Sequence, residues 1–119
     1  MASGVLRIFV YGTLMRGEDN ASFLRGARFA GAARTEPRYT LVDLGDYPGL
    51  CDGGATSVVG ELYDVDEPIL VRVDELEGHP DLFRRASVTL AGGGTAIAYL
   101  LAAERPGAVI ASGDWRSRG

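Results

Sequence analysis

The chain contains no lysine; all twelve basic residues among its 119 are arginines. This excludes the phosphate-cradling GxxxxGK[ST] loop, whose lysine ammonium reaches the nucleotide phosphates. Arginine-only usage itself reads as codon bias rather than chemistry. A single cysteine, Cys51, excludes an internal disulfide. Small secreted domains tend to be disulfide-rich, so a cytoplasmic location is expected. One histidine, His79, and scattered carboxylates give no structural-zinc spacing, and no metal or cofactor is expected. No apolar run approaches the roughly 20 residues of a membrane span. The opening MASGVLRIFV lacks the charged start and long apolar core of a secretory signal. The net charge of −4 argues against a nucleic-acid partner, which normally meets a basic face.

What remains is an ordinary globular composition, 46% hydrophobic and 24% charged. It suffices for one modest core, and a single domain over residues 1–119 is expected. Strands are expected at 5–11, 27–35, 38–44, 57–65, 83–91 and 94–103. Glu36-Pro37 divides the second from the third, because proline cannot donate to a central ladder. The run AGGG joins the last two as a hairpin. DNASFLR, residues 19–25, suggests one or two helical turns after an Asp or Asn cap. GDYPGLCDGGAT, residues 45–56, reads as a loop rich in turn residues, and the tail as mostly irregular. A helix is expected over 66–77, with Asp66 as cap, Pro68 in its first turn and Gly78 closing it. Strands outnumber helices without alternating with them. The expected fold is therefore α/β of the α+β type: a small mixed β-barrel with short flanking helices.

At about 100° per residue, Leu70, Ile69, Val73 and Leu76 form the apolar stripe of that helix. Glu77 falls at the edge of the stripe, Asp74 further round, and Glu75 on the opposite face. Partial burial and the helix C-terminus would both raise the Glu77 pKa. A carboxyl tuned upward suits general acid/base catalysis near neutral pH. A solvated last-turn residue fits the periodicity equally well.

The segment IFVYGTLMRGEDN, residues 8–20, starts as a buried strand and turns polar within four residues of Gly12. Gly12 permits close approach and unusual φ. The N–H groups of Gly12, Thr13 and Leu14 would then converge on an anion or an oxyanion. The alternative is a connection with Tyr11 and Leu14 packed inward. Cys51 with His79 as its base lacks any third, orienting group and reads as a free thiol. Asp64, Asp66 and Glu67 read as a helix start rather than a hard-cation site. Trp115 reads as an anchor for the C-terminus.

FVYGTLMRGEDN, GDYPGL, VDELEGHPDLFRR and SGDW occur in that order across residues 5 to 116. This series resembles the γ-glutamylcyclotransferase-like superfamily, in particular its γ-glutamylamine cyclotransferase and AIG2-like branch. The resemblance implies a small mixed fold built on a β-barrel. It also implies a loop, here Tyr11, Gly12, Thr13 and Leu14, that binds a γ-glutamyl moiety through backbone groups. The family's catalytic glutamate maps to Glu77. Tyr47, Arg85 and Tyr99 are further candidates for contact with a small-molecule γ-glutamyl substrate. Two positions depart from the family pattern: Val73 stands where many relatives have leucine, and Phe83 where the family has a tyrosine. The implied activity is cyclisation of a γ-glutamyl amine or amide to 5-oxoproline with release of the amine. A binding module without catalysis and a γ-glutamyl amide hydrolase are the competing classes.

Overall fold

The computed structural model describes residues 5–118, so the reading of Met1–Gly4 as free of a signal lies outside the described residues. Eight strands form one sheet: β1 (Leu6–Val10), β2 (Arg28–Arg34), β3 (Tyr39–Asp43), β4 (Pro48–Asp52), β5 (Val59–Val65), β6 (Phe83–Thr89), β7 (Thr95–Leu101) and β8 (Ala108–Val109). The sheet order is β2-β5-β1-β7-β4-β3-β8, with β6 pairing β7. The sheet curls into a half-barrel, and among the described residues a single α-helix, α1 (Glu67–Glu77), packs with it. The other helical pieces are 3₁₀ turns at Ala21–Leu24 and Trp115–Ser117.

Six of the eight strands fall where alternation and turn signals place them. β4 lies inside the stretch expected to be loop. Pro48 is tolerated because it is the first residue of the strand, and Leu50 and Gly49 are enclosed. A tight turn closes β3 onto β4, with the Leu44 amide bonded to the Tyr47 carbonyl at 3.0 Å. β8 is two residues long and gives no periodic signal. Asn20 precedes the first 3₁₀ turn but makes no side-chain cap.

The helix follows its expected chemistry. The Asp66 side chain accepts from the Ile69 amide at 3.1 Å. Gly78 ends α1 in the left-handed region, φ 63°, with its N–H directed to the Asp74 and Glu75 carbonyls. Ile69, Leu70 and Val73 are buried.

The sheet contains a fork. β6 pairs β7 over the whole length from Phe83↔Leu101 to Thr89↔Thr95, occupying one edge of β7. The other edge is shared: β1 pairs it in parallel at Ile8↔Ile97, and β4 in parallel at Leu50↔Leu100. Between them β1 departs and β4 arrives. The Tyr11 hydroxyl fills the gap, donating to the Tyr99 carbonyl at 2.6 Å and accepting from the Leu50 amide at 3.2 Å. Burial drives the Tyr11 pKa well above its ordinary value, with the Glu77 charge adding to it, so the phenol keeps its proton. Tyr11→Phe leaves a buried N–H and a buried C=O without this partner. It is expected to destabilise the fold by about 1–3 kcal/mol, measured by urea unfolding.

Candidate active site

The fork opens into a pocket of about 220 Å³. Its walls include Tyr11, Gly12, Thr13, Leu14, Tyr47, Glu77 and Tyr99, so seven of the eight sequence candidates meet there. Arg85 does not line it. Its Nε pairs with the Asp74 carboxylate at 3.2 Å. Asp74 also accepts the Tyr99 hydroxyl proton at 2.5 Å. Burial and this acidic partner hold the Tyr99 hydroxyl far above its usual pKa. Phe83 is buried on the same wall, edge-on to Tyr47 with ring centroids 5.9 Å apart. It offers no hydroxyl.

Gly12 to Met15 form a turn, with the Met15 amide bonded to the Gly12 carbonyl at 3.1 Å. No acceptor among the described residues takes a hydrogen bond from the amides of Gly12, Thr13 or Leu14. Tyr11 and Leu14 nonetheless pack inward, 6% and 5% exposed. The side chains therefore anchor the turn, while its amides have no hydrogen-bond partner among the described residues. Of the two freedoms glycine offers here, Gly12 does not use a positive φ. Glycine is required by contact instead. A Cβ there would lie 2.6 Å from Pro48 Cγ and 2.7 Å from its Cδ, so the departing β1 and arriving β4 touch at this point.

The far side of the turn is braced. The Asn20 side-chain amide donates to Thr13 Oγ1 at 2.9 Å and the Asn20 backbone amide to the Thr13 carbonyl at 2.8 Å. The buried Glu61 carboxylate accepts the Arg16 amide at 2.9 Å and pairs with Arg116 at 3.5 Å. Arg116 also reaches Glu18 at 3.3 Å and the Arg16 carbonyl. Trp115, 2% exposed, seats this C-terminal turn, and Arg118 stacks on it 3.5 Å from the ring centroid. The anchoring role expected of Trp115 thus extends, through its neighbour Arg116, to the loop that forms the pocket.

Glu77 is the one acidic group on the pocket wall. Burial pushes its carboxyl up to about 7. The cause is desolvation, with no compensating cation beside it. Cys51 is free and half-buried, and burial raises its thiol pKa, which disfavours the thiolate. His79 accepts the Arg85 amide at Nδ1, 3.2 Å away. Neither residue lines the pocket. Asp64 pairs with Arg7 at 2.8 Å and Arg28 at 3.3 Å, so its charge is used within the sheet surface. Among the described residues no helix is long and apolar enough to cross a membrane.

Sequence reasoning did not single out Pro48, Leu76, Leu82 or Asn20, which also line the pocket. Three of them are apolar residues that look like core in the sequence. Only the tertiary fork turns them toward a cavity.

The family model for gamma-glutamyl cyclotransferase, AIG2-like, matches residues 8–117. A Vibrio cholerae protein named "Putative gamma-glutamylcyclotransferase" is 42% identical over 111 residues, covering 93% of this chain and 96% of that one. Gamma-glutamylaminecyclotransferase A of Danio rerio is 37% identical over 94 residues, which are 71% of this chain and 58% of the fish protein. The crystal structure of an AIG2-like protein from Mus musculus superposes with a TM-score of 0.77 at 30% identity, covering 86% of this chain and 80% of the other.

Proposed function

The chain belongs to the gamma-glutamyl cyclotransferase, AIG2-like family, and we propose that it cyclises a γ-glutamyl amine or amide to 5-oxoproline with release of the free amine. Family membership indicates γ-glutamylcyclotransferase-type chemistry on a small γ-glutamyl molecule. The observation that supports the finer reading is the meeting of Glu77 with the unpaired amides of Gly12, Thr13 and Leu14 in one pocket.

The substrate's α-ammonium is positioned beside Glu77, whose carboxylate takes one proton from it. The freed amine attacks the γ-carbonyl carbon of the same molecule. A C–N bond forms, and the carbonyl oxygen becomes an oxyanion. Holding the two ends of one chain together gives the gain of an intramolecular reaction. The loop amides stabilise the substrate carboxylate or the developing oxyanion. The bond to the leaving nitrogen then breaks as Glu77 returns its proton to that nitrogen. The ring nitrogen, which still carries two hydrogens, gives one of them to the Glu77 carboxylate, and the departing amine takes it up to leave as the ammonium, so that the neutral lactam, the ammonium and the Glu77 carboxylate remain. A carboxyl with a pKa of about 7 exchanges protons in both directions near neutrality.

The test is a panel of γ-glutamyl amines, dipeptides and glutathione, assayed for 5-oxoproline. Turnover of at least one compound to 5-oxoproline is expected. Free glutamate as the product would identify hydrolysis, and binding without any product would identify a binding module.

A further inference from the structure

We propose that Arg116 is a positioning residue of the active site: it fixes the loop that carries the Gly12, Thr13 and Leu14 amides before substrate arrives, and so sets substrate affinity without touching substrate. This rests on the cyclotransferase reading above. Arg116 does not line the pocket, so it can act only through the loop. The inner half of that loop is seated by apolar burial at Leu14 and Met15. Its outer half has no such anchor, because Arg16 and Gly17 are exposed. Polar contacts hold it instead.

Glu61 is a buried carboxylate that the reaction does not use. It stands on β5 opposite Val10, the last residue of β1 before the loop. One oxygen accepts the Arg16 amide at 2.9 Å and the Tyr63 hydroxyl at 3.1 Å. Its other oxygen faces Arg116 Nη1 at 3.5 Å. Arg116 uses its other two nitrogens on the loop as well: Nε pairs with Glu18 at 3.3 Å and Nη2 donates to the Arg16 carbonyl. One guanidinium thus ties the loop backbone, a loop side chain and the buried strand beneath it. The Arg16 guanidinium is turned aside onto Phe29, 3.8 Å from the ring centroid, and cannot replace it. A substrate carboxylate must find the loop amides already aligned or give up part of its binding free energy to align them.

The experiment measures kcat and KM with whichever of γ-glutamyl-n-butylamide, γ-glutamylglycine and glutathione the wild type converts fastest to 5-oxoproline. Arg116→Ala should raise KM about 10-fold with kcat within about 2-fold, as for a loop that is competent about one-tenth of the time. Millimolar methylguanidinium should lower that KM and leave the wild type unchanged. Arg116→Lys should fall between, because an ammonium cannot match a three-nitrogen fork. Glu61→Gln keeps an acceptor for the Arg16 amide but loses the charge facing Arg116. Its KM should rise, and the double variant Glu61→Gln/Arg116→Ala should be no worse than the worse single one. Arg118→Ala removes an equal charge that stacks on Trp115 and leaves the loop contacts intact, so its KM should stay within about 2-fold. A loss confined to kcat, the mark of a smaller folded fraction, overturns the proposal. So do strictly additive losses, no response to methylguanidinium, an Arg118→Ala effect equal to that of Arg116→Ala, or an Arg116→Ala protein that urea titration shows to be unfolded under assay conditions. Each of these leaves the cyclotransferase reading standing. No 5-oxoproline from any compound with the wild type overturns that reading and this one with it.

Discussion

Glu77→Gln is expected to lower kcat for 5-oxoproline release by about 1,000-fold, the scale of removing a positioned general acid/base. The substitution keeps shape and hydrogen-bonding capacity while removing the titration. In the wild type, kcat/KM should rise with pH through about 7, because Glu77 must be ionised to accept the ammonium proton. That acid limb should be absent from the residual rate of the variant. A variant with full activity, or with the same acid limb, would remove Glu77 from the chemistry.

The same residue makes an opposite prediction for stability. Its folded-state pKa of about 7 lies above the ordinary 4.5, so between these values the folded state holds a proton that the unfolded state has released. Stability therefore falls as pH rises from 4.5 through 7 and levels above it. The full cost is at most about 3 kcal/mol. Glu77→Gln removes this cost. The variant should match the wild type near pH 4.5 and be the more stable of the two at pH 8, measured by urea unfolding at each pH. Activity and stability then change in opposite directions, as expected for a charge buried for function rather than for folding.

How much of this was visible in the sequence varies by residue. The helix and its caps were legible because Asp66, Pro68 and Gly78 act within a few positions of one another. The angular position of Glu77 followed from the same periodicity, and its half-buried placement in the structure agrees. β4 was not legible. Its Pro48-Gly49 opening has the composition of a turn, and the antiparallel pairing with β3 from Tyr39↔Asp52 to Asp43↔Pro48, with β7 joining at Leu50↔Leu100, makes it a strand. The Asp74–Tyr99–Arg85 set was equally hidden, because its members are separated by 11 to 25 positions and meet only through the β6–β7 pairing. Arg85 looked free for a substrate carboxylate in the sequence, and the fold supplies Asp74 in its place. The backbone reading of the YGTL turn needed both levels. The motif suggested available amides, and the hydrogen-bond pattern of the turn leaves those of Gly12, Thr13 and Leu14 unpaired.

Gly12→Ala tests that turn at its tightest contact. The added methyl would approach the Pro48 ring to 2.6 Å, closer than carbon atoms pack, so β1 and β4 must part at the fork. A displacement near 1 Å of the loop amides is enough to cost about 100-fold in rate. A loss of about 100-fold in kcat/KM is therefore expected, with about 1–3 kcal/mol of overpacking strain in the fold. Gly12→Val should be worse on both counts, whereas Thr13→Ser should be mild, because the Asn20 side chain still has a hydroxyl to bond. The steric account makes one further demand. Pro48→Ala opens the space that the new methyl needs, so the double variant Gly12→Ala/Pro48→Ala should recover at least about 10-fold of the lost kcat/KM, a coupling of about 1.4 kcal/mol. Strictly additive losses would mean that Gly12 acts through backbone freedom rather than through this contact. The ordinary φ of Gly12 argues for the contact.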